Sequence, residues 1–485
     1  MNSLKNTRVA AIITNPKDAE TYSRAKDILL EFRIDHYPPF IDNNKFPENA
    51  ILTYRSEEEG GKGENDSKKR KRILRKLLDI PLAMVDFEIR RDIDLLEEFI
   101  RKGGEPERVI LSAHDYSGKM ERTVKTYKKQ IEEIHSRFPD LCEHAIHKFV
   151  GKPEDSLDLF LGIEQLKELK KRVVLGIGKI GEPSRTLSVG NQFIFGTIDK
   201  IPGIMDLETL TRIHGCEKPF FTGLIGKTLA HSLSPTIHSL LFDEIGQCGY
   251  YHLFPIKEEE RVYPFIEYAK TYEVKGLNVT FPYKEIAARI ADIKAPEVVE
   301  CGAANTLKID DSTVSAFNTD ISGFTAMLKN NRLDKVDSVL VVGAGGAAKA
   351  VCVALMQLGI EVFVYNRSKE RLLTFPKRVK DYITYVEETR KLDADVYINT
   401  TPVGMNGKGS PTEFAPFPEN IEVAIDIGYS LTKTGLIKTA EIKGIKTLDG
   451  KEMLFHQAVD TFEIWTGASI NRGKLLKKWL MEVSR

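Results

Sequence analysis

Three side chains in the first half of the sequence have the types that carbonyl chemistry needs. Lys148 and Glu88 lie within short apolar runs, and His114 ends another. A lysine with cations and apolar walls around it loses its proton more easily, and the neutral amine can attack a ketone to form a Schiff base. The resulting iminium acidifies the neighbouring C–H, which a histidine can deprotonate before it protonates a leaving hydroxyl. These residues predict a carbonyl-assisted elimination or an aldol reaction.

Further charged residues follow neighbouring apolar runs. Arginines can hold a carboxylate or ring hydroxyls through paired hydrogen bonds, and buried charge without a partner is costly in a purely structural core. A surface ion pair remains the alternative for each residue taken alone. The additional candidates for substrate binding are Glu31, Arg33, Arg55 and Arg185.

Eight short β-rich runs, most of them separated by charged helical stretches, cover about the first 200 residues. The predicted strands are 9–14, 29–34, 50–55, 83–89, 109–114, 145–150, 173–178 and 192–195. Eight β/α units with no glycine-rich phosphate turn favour a closed parallel barrel over a doubly wound sheet. The charged candidates lie near the C-terminal ends of these strands, where β/α barrels carry their chemistry.

The first half resembles the type I 3-dehydroquinate dehydratases over roughly residues 8–205. The resemblance rests on the segments EFRID, TYRSEEEGG and SAHD, the Glu88 and Lys148 strands, and Gly181–Arg185. It implies that Lys148 forms the Schiff base, that His114 is the general acid/base, and that Glu88 orients His114. It also implies that Glu31, Arg33 and Arg55 bind ring hydroxyls and that Arg185 binds the carboxylate.

The sequence departs from this family at three positions. Ala113 stands where Asn is frequent, and Lys200 and Ile204 stand where the loop after the last strand usually carries Ser and Gln. Lys200 could replace the lost contact to the carboxylate. A dehydrogenase whose barrel is inactive therefore stays open as an alternative.

A glycine-rich turn in the second half predicts a dinucleotide site. The apolar run 338–342 leads directly into Gly343, Gly345, Gly346 and Ala347, and a helical stretch follows. Such glycines allow a tight turn and let a pyrophosphate approach the helix N-terminus. The strand before and the helix after make the signal more specific than the glycines alone.

The next predicted strand indicates which dinucleotide binds. An NAD site would end this strand with Asp or Glu, which hold the ribose hydroxyls. Here Asn366 and Arg367 follow Tyr365, and Arg371 lies one helical turn further on. The missing acid and the two cations predict NADP.

A set of hydroxyls, amides and one Lys/Asp pair lies upstream of this turn in the sequence. Side chains of these kinds suit a polyhydroxylated acid, because an analogue that lacks a hydroxyl leaves a buried partner unpaired. The members of the set are Ser232, Ser234, Thr280, Lys284, Asn305 and Asp320.

From about Pro219 onward the sequence resembles shikimate dehydrogenase. The shared motifs are H-S-x-S-P-x-x-H, N-V-T-x-P-x-K and N-T-D-x-x-G, the segment 399–405 with Thr400, and the segment 449–454 with Met453. The resemblance implies that Lys284 and Asp320 form the catalytic pair and that NADPH reduces a ketone. It implies that Ser232, Ser234, Thr280, Asn305, Tyr429 and Gln457 line the shikimate site, and that Thr400 and Met453 contact the cofactor.

The two halves together predict an α/β chain with a (β/α)8 barrel followed by a two-lobed dehydrogenase with a Rossmann-type NADP lobe. We expect the barrel at about residues 1–215 and the dehydrogenase at 216–485, with a substrate lobe at about 219–330 plus 450–485 and an NADP lobe at about 336–448. The combination resembles the bifunctional dehydratase–dehydrogenases, which convert 3-dehydroquinate through 3-dehydroshikimate to shikimate. The same build would also suit a quinate-preferring dehydrogenase or a metabolite-sensing regulator.

Composition argues against partners of a different kind. The 485 residues contain 70 Lys plus Arg and 70 Asp plus Glu, so a nucleic-acid or membrane-surface partner is not expected. The basic run Lys68–Arg72 follows good N-cap residues and predicts a solvated helix face. The five Cys form no CxxC pair and no metal site is predicted. No apolar run reaches the ~18 residues of a membrane span, and the first apolar strand starts too early for a preceding signal, so we expect a cytoplasmic protein.

Overall fold

The computed structural model of the protein describes residues 7–483, apart from residues 44, 45, 65, 188, 200–203, 406, 430 and 431. The chain forms two compact units. The first comprises Met1–Pro219 with Pro264–Glu273, and the second comprises Phe220–Tyr263 with Val274–Arg485.

The first unit is built on an eight-stranded parallel sheet, which confirms the predicted barrel. Its strands are β1 (Arg8–Ile13), β2 (Leu29–Arg33), β3 (Ala50–Thr53), β4 (Met84–Glu88), β5 (Val109–Asp115), β6 (Ile146–Gly151), β7 (Arg172–Gly176) and β8 (Phe193–Thr197). They pair in the order β7-β6-β5-β4-β3-β2-β1-β8. Sequential parallel pairing of this kind brings the C-terminal ends of all the strands to one mouth.

The segment before β8 bridges the two ends of this sheet. The side-chain amide of Asn191 donates to the carbonyl of Val174 at 3.2 Å, and its oxygen accepts from the Val174 N–H at 2.7 Å. The Gln192 N–H donates to the Arg172 carbonyl at 2.8 Å. An asparagine side chain thus takes the place of a strand partner and joins β7 to the start of β8.

Helices alternate with these strands. They are α1 (Pro16–Tyr22), α2 (Ser67–Leu78), α3 (Ile93–Arg101), α4 (Met120–Arg137), α5 (Pro139–His144), α6 (Ser156–Glu164), α7 (Gly178–Gly181), α8 (Pro183–Thr186) and α9 (Leu207–His214). The carboxylate of Asp66 caps α2 by accepting from the N–H groups of Lys68 and Lys69, which agrees with the predicted helix start. The basic run is exposed at Lys68, Lys69 and Arg72, but Arg70 is buried, so the prediction of a solvated face was wrong at that position.

The second unit contains two six-stranded sheets. The first is mixed, and we call its part of the unit the mixed-sheet lobe. Its strands are β9 (Phe220–Gly226), β10 (Gly249–Pro255), β11 (Val274–Val279), β12 (Ile293–Lys294), β13 (Thr306–Asp310) and β14 (Thr313–Phe317), in the order β10-β9-β11-β13-β14-β12.

The second sheet is parallel throughout, and we call its part of the unit the parallel-sheet lobe. Its strands are β15 (Ser338–Val342), β16 (Glu361–Tyr365), β17 (Thr384–Tyr385), β18 (Val396–Asn399), β19 (Val423–Asp426) and β20 (Lys446–Asp449). The spatial order β17-β16-β15-β18-β19-β20 is that of a dinucleotide-binding sheet, numbered 3-2-1-4-5-6 from its own first strand. The predicted Rossmann-type lobe is therefore confirmed.

The remaining helices are α10 (Ser234–Glu244), α11 (Val262–Thr271), α12 (Lys284–Ile290), α13 (Pro296–Cys301), α14 (Thr319–Asn330), α15 (Gly346–Leu358), α16 (Lys377–Tyr382), α17 (Gly435–Ile442), α18 (Lys451–Thr466) and α19 (Arg472–Val483). α14 and α18 pack closely at Gly323, where an added Cβ would lie 2.9 Å from the backbone N of Gln457. The glycine of N-T-D-x-x-G thus brings Asp320 and Gln457 together.

Candidate active sites

Lys148 lies on β6 and points into the barrel. Its Nζ is 3.2 Å from Glu31 Oε1 and 3.1 Å from Asp86 Oδ2, and it stands 4.2 Å from the ring centre of Phe195. Only 4% of the side chain is exposed. The closest charges are therefore carboxylates and not the cations that the sequence suggested, because a buried ammonium needs counter-charges close by.

Arg55 links the groups around this lysine. Its Nη2 lies 2.7 Å from Asp86 Oδ2, and its Nη1 lies 3.0 Å from Glu59 Oε2 and 2.9 Å from Ser112 Oγ. Burial raises the pKa of Asp86, but Arg55 and Lys148 outweigh it and bring that pKa to about 2. Asp86 is thus a permanent anion between two cations, a role that sequence reasoning missed although the residue shares a strand face with Glu88.

His114 lies near the end of the barrel strand β5, beside Glu59. Its Nδ1 and its backbone N both lie 3.1 Å from Glu59 Oε2. Burial, together with the charges of Arg55 and Lys148, holds the pKa of His114 well below its usual value. The imidazole is therefore neutral at physiological pH, and when Nδ1–H donates to the Glu59 side chain the Nε2 lone pair is available as a base.

The prediction that Glu88 orients His114 is not what the geometry gives. Glu88 Oε1 accepts from the Ser56 N–H and Oε2 from Ser56 Oγ, both at 2.8 Å. Glu59 takes the position beside His114 because the 3-10 helix Glu57–Glu59 folds it over the barrel mouth. The sequence does not show which of the three consecutive glutamates faces His114. The Gly60-Gly61 pair that follows does indicate a tight turn directly after Glu59.

The predicted substrate-binding residues Arg33 and Arg185 differ in whether their guanidinium nitrogens already have hydrogen-bond partners. Arg33 makes two hydrogen bonds to Asp35, at 2.8 and 2.9 Å, so its charge is already paired. Arg185 is 4% exposed, donates to the Gly176 carbonyl at 2.5 Å, and its Nε has no partner within the part of the chain that the structure describes. Burial lowers the pKa of Arg185 to about 10. A buried cation in this state would gain from an incoming carboxylate.

The loop after β8 is described only in part. Lys200, the predicted replacement contact, lies outside the described residues together with positions 201–203. Ile204 is half-buried, and the next residue Met205 is buried and accepts a hydrogen bond from the Thr197 N–H at 3.1 Å.

Lys284 and Asp320 meet in the second unit, where each lies in the first turn of a helix. Lys284 Nζ is 2.5 Å from Asp320 Oδ2, and Asn305 Nδ2 donates to Asp320 Oδ1 at 2.8 Å. The same amide lies 3.2 Å from Gln457 Oε1, and the Thr319 N–H donates to Asn305 Oδ1 at 2.8 Å. The four predicted residues Lys284, Asn305, Asp320 and Gln457 thus form one connected polar site.

The predicted hydroxyls of Ser232, Ser234 and Tyr429 lie close together, with the serines in the mixed-sheet lobe and Tyr429 in the parallel-sheet lobe of the same unit. Burial raises the pKa of Tyr429, and hydrogen bonds from the side chains of Ser232 and Ser234 oppose that rise. The Ser234 N–H also donates to Ser232 Oγ at 3.2 Å, which fixes the turn before α10. Thr280 directly follows β11, where its methyl group leaves no room for a side chain at Gly226.

The glycine turn lies against Lys284. Gly343 has a φ of 121°, and an added Cβ there would lie 2.3 Å from Thr400 Oγ1. At Gly346 an added Cβ would lie 2.9 Å from Lys284 Cβ, whereas at Gly345 it would meet no atom of the described residues within 4 Å. The turn thus packs on one side against Thr400 and Lys284, and it stays open at Gly345, the residue before the first residue of α15.

The predicted cofactor cations lie on the surface beyond β16. Arg367 and Arg371 are exposed, and no carboxylate of the described residues forms an ion pair with either. The Arg367 guanidinium stands 5.3 Å from the ring centre of Phe414, and Asn366 Nδ2 donates to the Ser368 carbonyl at 2.9 Å. Met453, also predicted to contact the cofactor, is not exposed like the two arginines: it is buried in the hydrophobic core of the parallel-sheet lobe.

These features define a two-part class of enzyme: a barrel that presents an amine and an imidazole to a carbonyl substrate, followed by a dinucleotide-dependent oxidoreductase. The family model for type I 3-dehydroquinase matches residues 10–218, and that for the shikimate dehydrogenase substrate binding domain matches residues 224–307. The NADP(+) shikimate dehydrogenase of Clostridium beijerinckii is 38% identical over 249 residues, which are 50% of this chain and 91% of the relative. The chain belongs to the shikimate dehydrogenase family and carries a type I 3-dehydroquinase barrel ahead of that part.

Similarity extends to a second curated relative and to a solved structure. The NADP(+) shikimate dehydrogenase of Aquifex aeolicus is 36% identical over 249 residues, 51% of this chain and 91% of the relative. A solved structure of dehydroquinate dehydratase and shikimate dehydrogenase from S. pombe is 21% identical, covers 98% of both chains and has a TM-score of 0.43.

Neither a membrane span nor a metal cluster is found among the described residues. None of their helices combines the length and the apolar character that crossing a bilayer requires. No group of three or more His, Cys, Asp or Glu side chains in the same part of the chain is arranged to hold a metal ion.

Proposed function

We propose that the protein catalyses two consecutive reactions: the barrel dehydrates 3-dehydroquinate to 3-dehydroshikimate, and the second part reduces that product to shikimate with NADPH. The observation that carries the proposal is the preassembled pair in the barrel, a buried Lys148 and a neutral His114 tied to Glu59. A barrel that had lost its activity would have no need to keep this costly arrangement of buried charge.

In the barrel, Lys148 first passes the proton of its ammonium to His114 Nε2, and the neutral amine attacks the ketone; His114 returns that proton to the hydroxyl that leaves as water when the iminium forms. His114 Nε2 then takes the proton from the carbon next to the iminium, and Glu59 stabilises the imidazolium that results. The same proton returns to the departing hydroxyl, and water hydrolyses the iminium to release product and Lys148. We assign the substrate carboxylate to Arg185, and the Nε that has no partner among the described residues supports this assignment.

In the second part, Lys284 and Asp320 act on the substrate hydroxyl or ketone. The Lys284 ammonium stabilises the developing alkoxide and supplies its proton, while Asp320 holds the ammonium at 2.5 Å. Asn305 orients Asp320 and is itself in contact with Gln457. The amides of Asn305 and Gln457 bind ring hydroxyls, and Ser232 with Ser234 offers hydroxyls to the rest of the acid.

The residues of the parallel-sheet lobe fit a dinucleotide. The turn is open at Gly345 and leads into the N-terminus of α15, which suits a pyrophosphate. Arg367 and Arg371 suit the 2′-phosphate because both are exposed and without an ion-pair partner among the described residues. When bound, NADPH supplies the hydride for the reduction.

The remaining assignments follow from this chemistry. We assign the dehydratase to about residues 1–215 and the dehydrogenase to 216–485, with small molecules as partners. A cytoplasmic location suits soluble substrates and a soluble cofactor.

The proposal is tested by assaying the full chain for each reaction alone. We expect 3-dehydroquinate to be dehydrated without any nicotinamide, and shikimate to be oxidised with NADP+. Lys148→Ala should abolish only the first activity and Lys284→Ala should impair only the second, so each variant is the folding control for the other. A wild-type chain that fails to dehydrate while it oxidises shikimate would favour the inactive barrel.

A further inference from the structure

The basic run of α2 contains one arginine that lies deep in the fold. Arg70 is 2% exposed, and its Nε and Nη2 donate to the two carboxylate oxygens of Asp92 at 2.8 and 2.7 Å. Its Nη1 donates to the Tyr54 carbonyl at 2.7 Å, and its Nη2 lies 3.3 Å from Glu88 Oε2. Every nitrogen of this guanidinium therefore has a partner, and one partner is the backbone just after β3.

Glu88 extends this contact to the next loop. It accepts from both the N–H and the hydroxyl of Ser56, and Arg55 Nη1 lies 3.3 Å from its Oε1, as far as Arg70 Nη2 lies from its Oε2. The Glu88 N–H in turn donates to Asp92 at 2.9 Å. Two buried carboxylates, Glu88 and Asp92, thus converge on Arg70, the cation that both of them contact.

Ser56 connects this network to Glu59, the residue beside His114. It directly follows Arg55 and directly precedes the 3-10 helix that ends in Glu59. The Gly61 N–H donates back to the Ser56 carbonyl at 2.8 Å, and an added Cβ at Gly61 would lie 2.2 Å from the Arg55 carbonyl oxygen. A turn this tight leaves Glu59 little freedom once Ser56 is fixed.

We propose that Arg70, Glu88 and Ser56 form a clamp that positions Glu59 against His114 and is needed for full dehydratase turnover. All three side chains are buried and act through the loop that carries Glu59, so we treat them as positioning residues, and the inference rests on the proposed dehydratase function. A loop displaced by about 1 Å would weaken the Glu59–His114 contact and slow proton transfer by as much as about 10²-fold. It would leave Lys148 in place, because Glu31 and Asp86 hold that side chain from other strands.

The test separates proton transfer from Schiff-base formation in the full chain. For Arg70→Met we expect kcat of dehydration to fall by roughly 10- to 100-fold, while borohydride still traps 3-dehydroshikimate on Lys148 and shikimate oxidation is normal. Arg70→Lys, which keeps the charge but not the fork of hydrogen bonds, should lie between. The matched control is Arg75→Met on the same helix, where an exposed arginine pairs with Glu98 at 2.7 Å; it should behave as wild type.

A second variant keeps the test decisive if Arg70→Met does not fold. Glu88→Gln preserves shape and should show the same pattern of reduced kcat with retained trapping. The clamp is overturned if a variant whose Lys148 is trapped normally also has an unchanged kcat of dehydration. It is also overturned if Glu88→Gln loses borohydride trapping in proportion to its loss of kcat, since that would mark a purely structural role. A wild-type chain that neither dehydrates nor is trapped overturns the dehydratase function itself and with it the clamp.

Discussion

Replacing Glu59 with Gln tests the assignment of the acid that serves His114. In the wild type, Glu59 Oε2 accepts from the His114 N–H, from its ring Nδ1 and from Arg55 Nη1, at 3.0 to 3.1 Å. The Gln side chain keeps the size and an acceptor oxygen but loses the charge. The imidazolium that forms during proton abstraction then loses its counter-ion.

The size of the effect follows from the difference between two kinds of hydrogen bond. A bond to a charged group contributes about 1.5–3 kcal/mol and a neutral one about 0.5–1.5 kcal/mol, so the variant loses roughly 1–2 kcal/mol. At about 1.4 kcal/mol per decade this is roughly a 5- to 30-fold decrease in kcat. His114→Ala should cost more, about 10²–10⁴-fold, because it removes the base altogether.

The pH profile gives a second readout. Burial raises the pKa of Glu59; Arg55 opposes the rise and the charges of Glu88 and Asp86 add to it, so that the pKa reaches about 7. The carboxylate is therefore increasingly protonated as pH falls through about 7, and dehydration should decline in that range. The pKa of His114 lies well below 6.5, so its own titration belongs to a lower pH. In Glu59→Gln the decline near pH 7 should disappear.

The assay is the ultraviolet absorbance of the conjugated product across pH. Glu58→Gln is the matched control, because Glu58 is the exposed neighbour, pairs with Arg91 and does not reach His114. The reasoning is refuted if Glu59→Gln keeps both the wild-type rate and the decline near pH 7, or if Glu58→Gln is equally impaired.

Three further outcomes are expected. Borohydride with 3-dehydroquinate should add mass to the peptide that contains Lys148, and Lys148→Ala should lose both trapping and dehydration; adduct on another lysine would contradict the role. Lys284→Ala or Asp320→Ala should reduce shikimate turnover by about 10²–10⁴-fold with dehydration intact, and normal turnover in both would make the pair structural. Arg367→Ala should reduce a preference for NADP over NAD of roughly tenfold to a hundredfold, since a charge-assisted bond contributes about 1.5–3 kcal/mol; an equal loss of kcat/KM with both cofactors would refute this.

The direction of strand side chains could be predicted from the sequence, because consecutive residues of a strand point to opposite faces of the sheet. Lys148 points into the barrel, while the adjacent His147 points out, where its Nε2 lies 2.8 Å from His135 Nε2 on α4. The same holds for the glycine turn, since the apolar run 338–342 and the glycines after it specify both the strand and the start of α15.

Loop partners were not readable in the same way. Glu57, Glu58 and Glu59 are identical in type, and only the 3-10 turn decides that the third one reaches His114. Arg70 looked like its basic neighbours, because burial of a single position in a helix depends on what packs over it. Closure by Asn191 was also hidden, since a side-chain amide that replaces a strand partner leaves no periodic pattern.

The most direct measurement of the central claim uses the wild-type chain as the only protein, mixed with 3-dehydroquinate and NADPH. The two proposed activities in sequence predict loss of NADPH absorbance, equimolar with the 3-dehydroquinate supplied, and shikimate as the product. Lys148→Ala should show no loss until 3-dehydroshikimate is added. If the wild type likewise consumes NADPH only after 3-dehydroshikimate is added, the barrel does not dehydrate and the account of a bifunctional enzyme is contradicted.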